Sequence, residues 1–417
     1  MLPGLIDAHV HLAFDASTDV VTSIGAVDDA QLLTQMTQAA RRALRSGITT
    51  VRDLGDRGFL TLALRKYLDA SGDLGPEIVA SGPPITVRGG HCHFLGGVAE
   101  GPQALRAAVR ERTERGCEVV KVMVSGGQLT PGSASHESQY DLADLRLIVA
   151  EAHGLGMTAA AHVHCPGSVA NAVKAGFDTL EHVTFLTEDG VAADPATMEA
   201  IVESGVVVSA TVGHVPGKGQ LPPVIARSVG AVIENWARLH RDGARIVPGT
   251  DAGIAPRKPH DVLPYGLAAL TGLGMTNLEV LRAATSVAAA ACGLTGRKGR
   301  LAPGPMPIWS PSAATRSTTS APFMTSSRSF VPVAGGADQV TGTDLAENAV
   351  DEASVSRCTE EDGHGGRAGG CQAGRGSGAR LAPFLGGGDP CTATGCAADS
   401  CRFHGGQSAR ADPAGLC

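Results

Sequence analysis

The residues best suited to chemistry in this 417-residue chain are histidines set two apart. His9 and His11 lie in Pro3-Gly4-Leu5-Ile6-Asp7-Ala8-His9-Val10-His11-Leu12, where apolar and polar residues alternate as in a short strand. Period-2 geometry puts Asp7, His9 and His11 on one face. Two imidazoles so placed can converge on one metal ion, and imidazole suits zinc and its neighbours. His162 and His164 repeat the spacing in Ala160-Ala161-His162-Val163-His164, His182 follows Leu180-Glu181, and Asp251 ends Gly249-Thr250-Asp251. An acid at a metal-facing strand end can also be the proton shuttle that metal-assisted hydrolysis requires. Each pattern alone reads better as a solvated histidine or an ordinary turn than as a ligand. Their recurrence at one strand end after another is what points to a metal site.

Lys121 sits in the middle of Glu118-Val119-Val120-Lys121-Val122-Met123-Val124, on the same face as Val119 and Met123. In a barrel strand that face points inward. An unpaired buried ammonium is costly and lowers its own pKa. Two readings stand: a lysine snorkelling from a strand end to solvent, or a neutral amine available for chemistry. Asp53, at the end of its strand, reads as a helix or loop cap.

These residues need elements to position them. Short β-branched runs alternate with amphipathic helical runs up to about residue 300. The strands expected are Leu5–His11, Ile48–Asp53, Glu77–Ser81, Glu118–Val124, Thr158–Val163, Thr179–Val183, Val206–Thr211 and Arg245–Thr250. Helix punctuation separates them: Gly101-Pro102 opens one helix and Gly116 ends it, Asp141 caps the next, and Thr276-Asn277-Leu278-Glu279 is a capping-box pattern before an alanine-rich run. The pattern is that of a parallel sheet closed into an α/β (β/α)8 TIM barrel. A doubly wound open sheet alternates in a similar way. The barrel is favoured because the candidate ligands fall on strands one, four, five, six and eight and would converge at one end.

Bulk properties narrow the partners. Hydrophobic residues make up 43% of the chain and mean hydropathy is +0.06, enough for a sizeable core. A net charge of −7 and a pI near 6.0 argue against nucleic acid. No apolar run reaches the roughly 18–20 residues of a membrane span, and no secretory signal is visible, so a cytoplasmic location is expected. The ten cysteines lack the paired spacing of a zinc ribbon or a disulfide framework. The partner expected is a small-molecule substrate, with no membrane or nucleic-acid partner; self-association into a homo-oligomer is allowed.

Residues 3–304 resemble the amidohydrolase superfamily, in particular its imidazolonepropionase-like and prolidase-like metal-dependent hydrolases. The resemblance is carried by PGLIDAHVHL, GITTVRDLG, VVKVMVSGG, AAHVH, AGFDTLEH, PGTDAG, LRAAT and GRLAPG. It implies two divalent metal ions, zinc by analogy. His9, His11 and Asp251 would hold one and His162 and His182 the other, with carbamylated Lys121 and a hydroxide bridging them. By the resemblance His91, in Gly89-Gly90-His91-Cys92-His93, looks like a substrate-side residue, and a surface histidine is an equal alternative. Tyr140 resembles the tyrosine that meets a substrate carboxylate, against a plain packing role. His164 would touch substrate or support His162. The implied reaction is hydrolysis of an amide C–N bond in a small acyl-amino-acid or dipeptide-like substrate, with Asp251 as proton shuttle. The rival enzyme reading is one-metal deamination or cyclic-amide opening, against which Lys121 counts, since a single metal needs no bridge. A third reading is an inactive product that merely keeps the ligands.

The resemblance also implies a small β-sandwich, which is expected to be missing or incomplete here. Residues 305–417 show no strand or helix periodicity and are rich in Ser, Gly, Ala and Pro, the composition of a disordered tail beside the 1–304 hydrolase unit. This tail is expected to be a frameshifted reading of the missing strands. Residues whose codons begin with T, such as Ser310, Ser312, Trp309 and Phe323, would place T in the second position of the shifted codons, which encodes apolar side chains. Met306-Pro307 then forces an alanine and Met324-Thr325 an aspartate. Sequencing independently cloned DNA around the Gly304 codon should reveal a frame break; an intact frame would contradict it.

Overall fold

The computed structural model describes residues 2–301, apart from 73 and 222; the expectations for residues 305–417 lie outside the described residues. Eight strands alternate with helices: β1 Leu5–Val10, β2 Ile48–Asp53, β3 Glu77–Ala80, β4 Val119–Met123, β5 Thr158–Val163, β6 Thr179–His182, β7 Val207–Ala210 and β8 Arg245–Pro248. Each falls within a stretch expected from the sequence.

The strands pair in parallel as a three-stranded sheet, β1-β2-β3, and a five-stranded sheet, β4-β5-β6-β7-β8. Single parallel bridges link the two sheets at both edges, Val10 with Ala252 and Ile85 with Val122. At the first seam the His11 amide donates to the Ala252 carbonyl (2.9 Å) and the Asp251 amide to the His9 carbonyl (2.8 Å). The arrangement is TIM-barrel-like, with helices following the strands as parallel connections demand.

Helix ends follow the local chemistry. Asp141 accepts from the Asp144 amide, Thr276 and Glu279 form a reciprocal capping box, and the helix Pro102–Arg115 ends at Gly116 with φ 93°. The alanine-rich run departs from expectation. It widens into a π-helical turn over Ala283–Val287, where the Thr285 hydroxyl donates to the Leu281 carbonyl (2.5 Å) and competes with the backbone ladder. No helix among the described residues is long and apolar enough to cross a membrane.

Period-2 geometry sorts the interior into layers. Val119, Ala160, Val207 and Val247 share one buried cluster with Ala288, Ala289, Cys292 and Leu294. Two residues further along these strands, on the same faces, come Lys121, His162, Ser209 and Gly249. On these four strands an apolar layer therefore precedes Lys121 and His162.

The chain leaving β8 runs tightly against β1. Asp7, on β1, accepts from the amide (3.0 Å) and the hydroxyl (2.6 Å) of Thr250. A Cβ on Gly249 would lie 2.6 Å from the His9 Cβ and 2.4 Å from the Ser209 Oγ. Gly253 has φ 103°, and a side chain there would meet the His11 carbonyl oxygen at 2.4 Å. Gly249→Ala should accordingly push His9 out of place, lower stability by roughly 1–3 kcal/mol as overpacking does, and reduce bound metal. Thermal denaturation with metal analysis checks this; an alanine variant matching the wild type in both would contradict it.

Candidate metal centre

Two groups of donors stand at the C-terminal ends of the strands: His9, His11 and Asp251, and His162, His164 and His182. Within each, one ligand atom per residue lies within 4.8 Å of the others. The Asp251 Oδ1 is 3.4 Å from His9 Nε2 and 3.3 Å from His11 Nε2, and these two nitrogens are 3.3 Å apart. The groups adjoin: the His9 and His182 ring centroids are 5.2 Å apart.

Backbone conformation at these ends is unusual. His182 (φ 74°) and Asp251 (φ 58°) are left-handed, which costs a non-glycine residue about 1–2 kcal/mol. Neighbours hold both in place. The Trp236 indole donates to the His182 carbonyl (2.9 Å), His182 Nδ1 lies 3.1 Å from the Thr211 hydroxyl, and the Asp251 amide is tied to β1.

The donors have the protonation state that metal binding needs. Burial pushes His9 and His164 down to about 4 and His162 and His182 well below the usual histidine value, aided at His9, His162 and His182 by nearby cations. At neutral pH these imidazoles are neutral and can ligate. Burial works against ionising Asp251, but His9 and His11 outweigh it and hold the carboxyl well below the usual range.

Lys121 is fully buried, and its Nζ has no hydrogen-bond partner among the described residues. Burial pushes it down to about 8 against the pull of Glu181 and Asp251. It lines the same cavity as His11 and Asp251 of one group and His162, His164 and His182 of the other. An orphaned amine beside two sets of neutral nitrogen and carboxylate donors fits a metal-binding site.

The other expected residues divide. His91 lines the same cavity, its ring 4.7 Å from that of His162, and burial pushes it down to about 3. His164 joins the second donor group, with Nδ1 2.8 Å from the Thr184 hydroxyl. Tyr140 is a correction. It packs in the large hydrophobic cluster, its hydroxyl donates to the Ala99 carbonyl (2.8 Å), and it does not line the cavity. A buried phenol needs an acceptor, and here the acceptor is backbone. Asp53 accepts from the Leu12 and Gly55 amides, as a loop cap does.

Sequence reasoning missed the support beneath the ligands. Glu181 Oε2 lies 3.0 Å from His9 Nδ1, although the approach is not linear, and Oε1 lies 2.8 Å from Arg52 Nη2. Arg52 also donates to the Ala8 carbonyl (2.7 Å) and the Thr179 hydroxyl (3.1 Å). Burial opposes the Glu181 carboxylate, but Arg52 and His9 together hold it ionised, well below the usual range. Charged residues at inward strand positions, Arg52 in TTVRD and Glu181 in TLEH, were the available signal.

The family profile described as "Amidohydrolase family" matches residues 1–307. The ochratoxinase of Aspergillus niger is 29% identical over 342 residues, spanning 71% of this chain and 67% of that protein. Among solved structures, a Xaa-Pro dipeptidase with methionine bound in its active site superposes with a TM-score of 0.63 at 26% identity, covering 71% of this chain and 77% of the other. A prolidase complexed with N-methylphosphonate-L-proline gives 0.60 at 26%, covering 72% and 77%.

Glu181→Gln would leave Arg52 a buried charge without its counter-charge and only one acceptor oxygen where Arg52 and His9 now face two. A loss of about 3–5 kcal/mol is expected, as when one partner of a buried pair is removed, together with weaker metal retention. Denaturant unfolding and metal analysis after dialysis check it; wild-type stability would show that Arg52 and Glu181 are not coupled.

Proposed function

The chain belongs to the amidohydrolase family and is a hydrolase acting on carbon–nitrogen bonds, and from that premise we propose that it hydrolyses the amide bond of a small acyl-amino-acid or dipeptide-like molecule at a two-metal site. The observation that carries this reading is that members of two three-donor groups line one cavity together with a buried lysine amine that has no hydrogen-bond partner among the described residues. The supporting frame is read as a closed (β/α)8 barrel with the site at the C-terminal ends of its strands.

His9, His11 and Asp251 would hold one ion, and His162 and His182, joined by His164, the other. Lys121, whose ammonium burial disfavours, would give up its proton to solvent and then, as the free amine, take up CO2 with release of a second proton to become a carbamate between the two sets. Divalent metals, zinc by the family resemblance, would supply Lewis acidity, polarising the scissile carbonyl and making a water molecule more acidic.

The remaining steps belong to the chain. Asp251 stays ionised and is positioned to accept a proton from the attacking water and deliver it to the leaving nitrogen. Oδ1 faces the two histidines, which leaves Oδ2 for that proton. His91 borders the cavity beside His162 and would orient the substrate. With Tyr140 turned into the core, Lys258 is the better-placed group for a substrate carboxylate. It lines the cavity, and its Nζ donates to the Thr211 (3.1 Å) and Thr250 (2.7 Å) carbonyls, leaving one donor of an ammonium's three.

The test joins metal analysis of the purified chain with a screen of N-acyl amino acids and dipeptides. Two divalent ions per chain and amide turnover are expected. Lys121→Ala should lose metal and cut turnover by more than the roughly 10–100-fold typical of residues that only support ligands, with partial rescue by a short carboxylic acid. Full activity in that variant would contradict the bridge.

A further inference from the structure

The cavity holding the candidate centre has a volume of about 300 Å³ and two chemically different ends. One end carries the histidines, Lys121 and Asp251. The other is a wall formed by the helix Pro223–Arg241. Ile225, Val229, Val232, Ile233 and Trp236 follow the i, i+4, i+7, i+8, i+11 spacing of one helical face, and all five line the cavity. Val232 and Trp236 belong to the large hydrophobic cluster and half-buried Ile233 packs against it while still lining the cavity, whereas half-buried Ile225 and Val229 border the cavity outside that cluster. Leu273 continues the wall.

This wall is fixed beside the chemistry. The Trp236 indole is bonded to the backbone of His182, so the apolar surface begins one residue from a candidate ligand. A substituent reaching it would sit next to the scissile bond and not at a remote site. Small or charged groups there would leave branched aliphatic side chains against water, whereas an apolar group would displace that water and gain burial.

We infer that the substrate carries a bulky apolar group, branched aliphatic or aromatic, adjoining the scissile amide and seated against this helix. Val229 and Ile233 are its specificity-determining residues. The inference rests on the amide-hydrolysis reading and narrows its substrate class.

The experiment compares the metal-loaded full chain on N-acetylalanine, N-acetylleucine, N-acetylphenylalanine and N-benzoylalanine, the last placing the bulk on the acyl side. At least one bulky member should exceed N-acetylalanine in kcat/KM by at least about tenfold, the scale on which a hydrophobic pocket discriminates side chains. Val229→Asp should collapse that ratio toward one; should it fail to fold, the isosteric Val229→Thr and Ile233→Thr serve instead. Hydrolysis without preference for bulk, or a preference untouched by these changes, would overturn the inference while the amide reading stands. If none of the four is hydrolysed, the amide reading fails for these compounds, and calorimetric titration decides the inference separately. Binding of a bulky member about tenfold tighter than N-acetylalanine supports the apolar seat, and equal binding overturns it.

Discussion

Arg52 and Glu181 meet in the interior with no exposed surface on either side chain. Arg52 comes from β2 in the three-stranded sheet and Glu181 from β6 in the five-stranded sheet, so the pair spans the two. Two charges withdrawn from water are tolerable only when every remaining donor and acceptor is answered. Here the answers come from the Ala8 carbonyl on β1, the Thr179 hydroxyl on β6, and the Ala291 carbonyl at 3.5 Å near the end of the alanine-rich run. Strand spacing inside the barrel-like frame is thus tied to a polar knot beneath the site. The remaining face of that knot is the contact with His9.

What lies above the knot follows from desolvation. The same burial that makes a charged imidazole costly keeps His9, His162 and His182 neutral and able to donate a lone pair. It leaves Lys121 with a depressed pKa and no hydrogen-bond partner among the described residues. Asp251 keeps its charge in the same surroundings because two imidazoles face it. Left-handed backbone at His182 and Asp251 and the close approach at Gly249 are the local strain that this convergence requires.

Much of this was legible in the sequence because it rests on local periodicity. Alternation placed all eight strands, and the two-residue spacing put His9 with His11 and His162 with His164 on shared strand faces. Capping residues marked the helix ends for the same reason. Contacts between distant segments were another matter. Glu181 and Arg52 are 129 residues apart, and neither local sequence says that one answers the other. Tyr140 failed similarly: its neighbours resemble a substrate-binding motif, but the acceptor at Ala99 lies 41 residues earlier and draws the hydroxyl into the core. His164 was placed on the right strand, yet its grouping with His162 and His182 depends on how β5 and β6 pair. The apolar wall was hidden because a helical stripe looks alike whether it faces core or cavity.

The central claim is that two metal ions share one lysine-bridged site. An anomalous difference map from crystals of the zinc-loaded chain tests it most directly. The account predicts two peaks, one among His9, His11 and Asp251 and one among the histidines of β5 and β6, with density in the ordinary difference map extending from the Lys121 amine between them. A single peak beside a bare lysine side chain would contradict it.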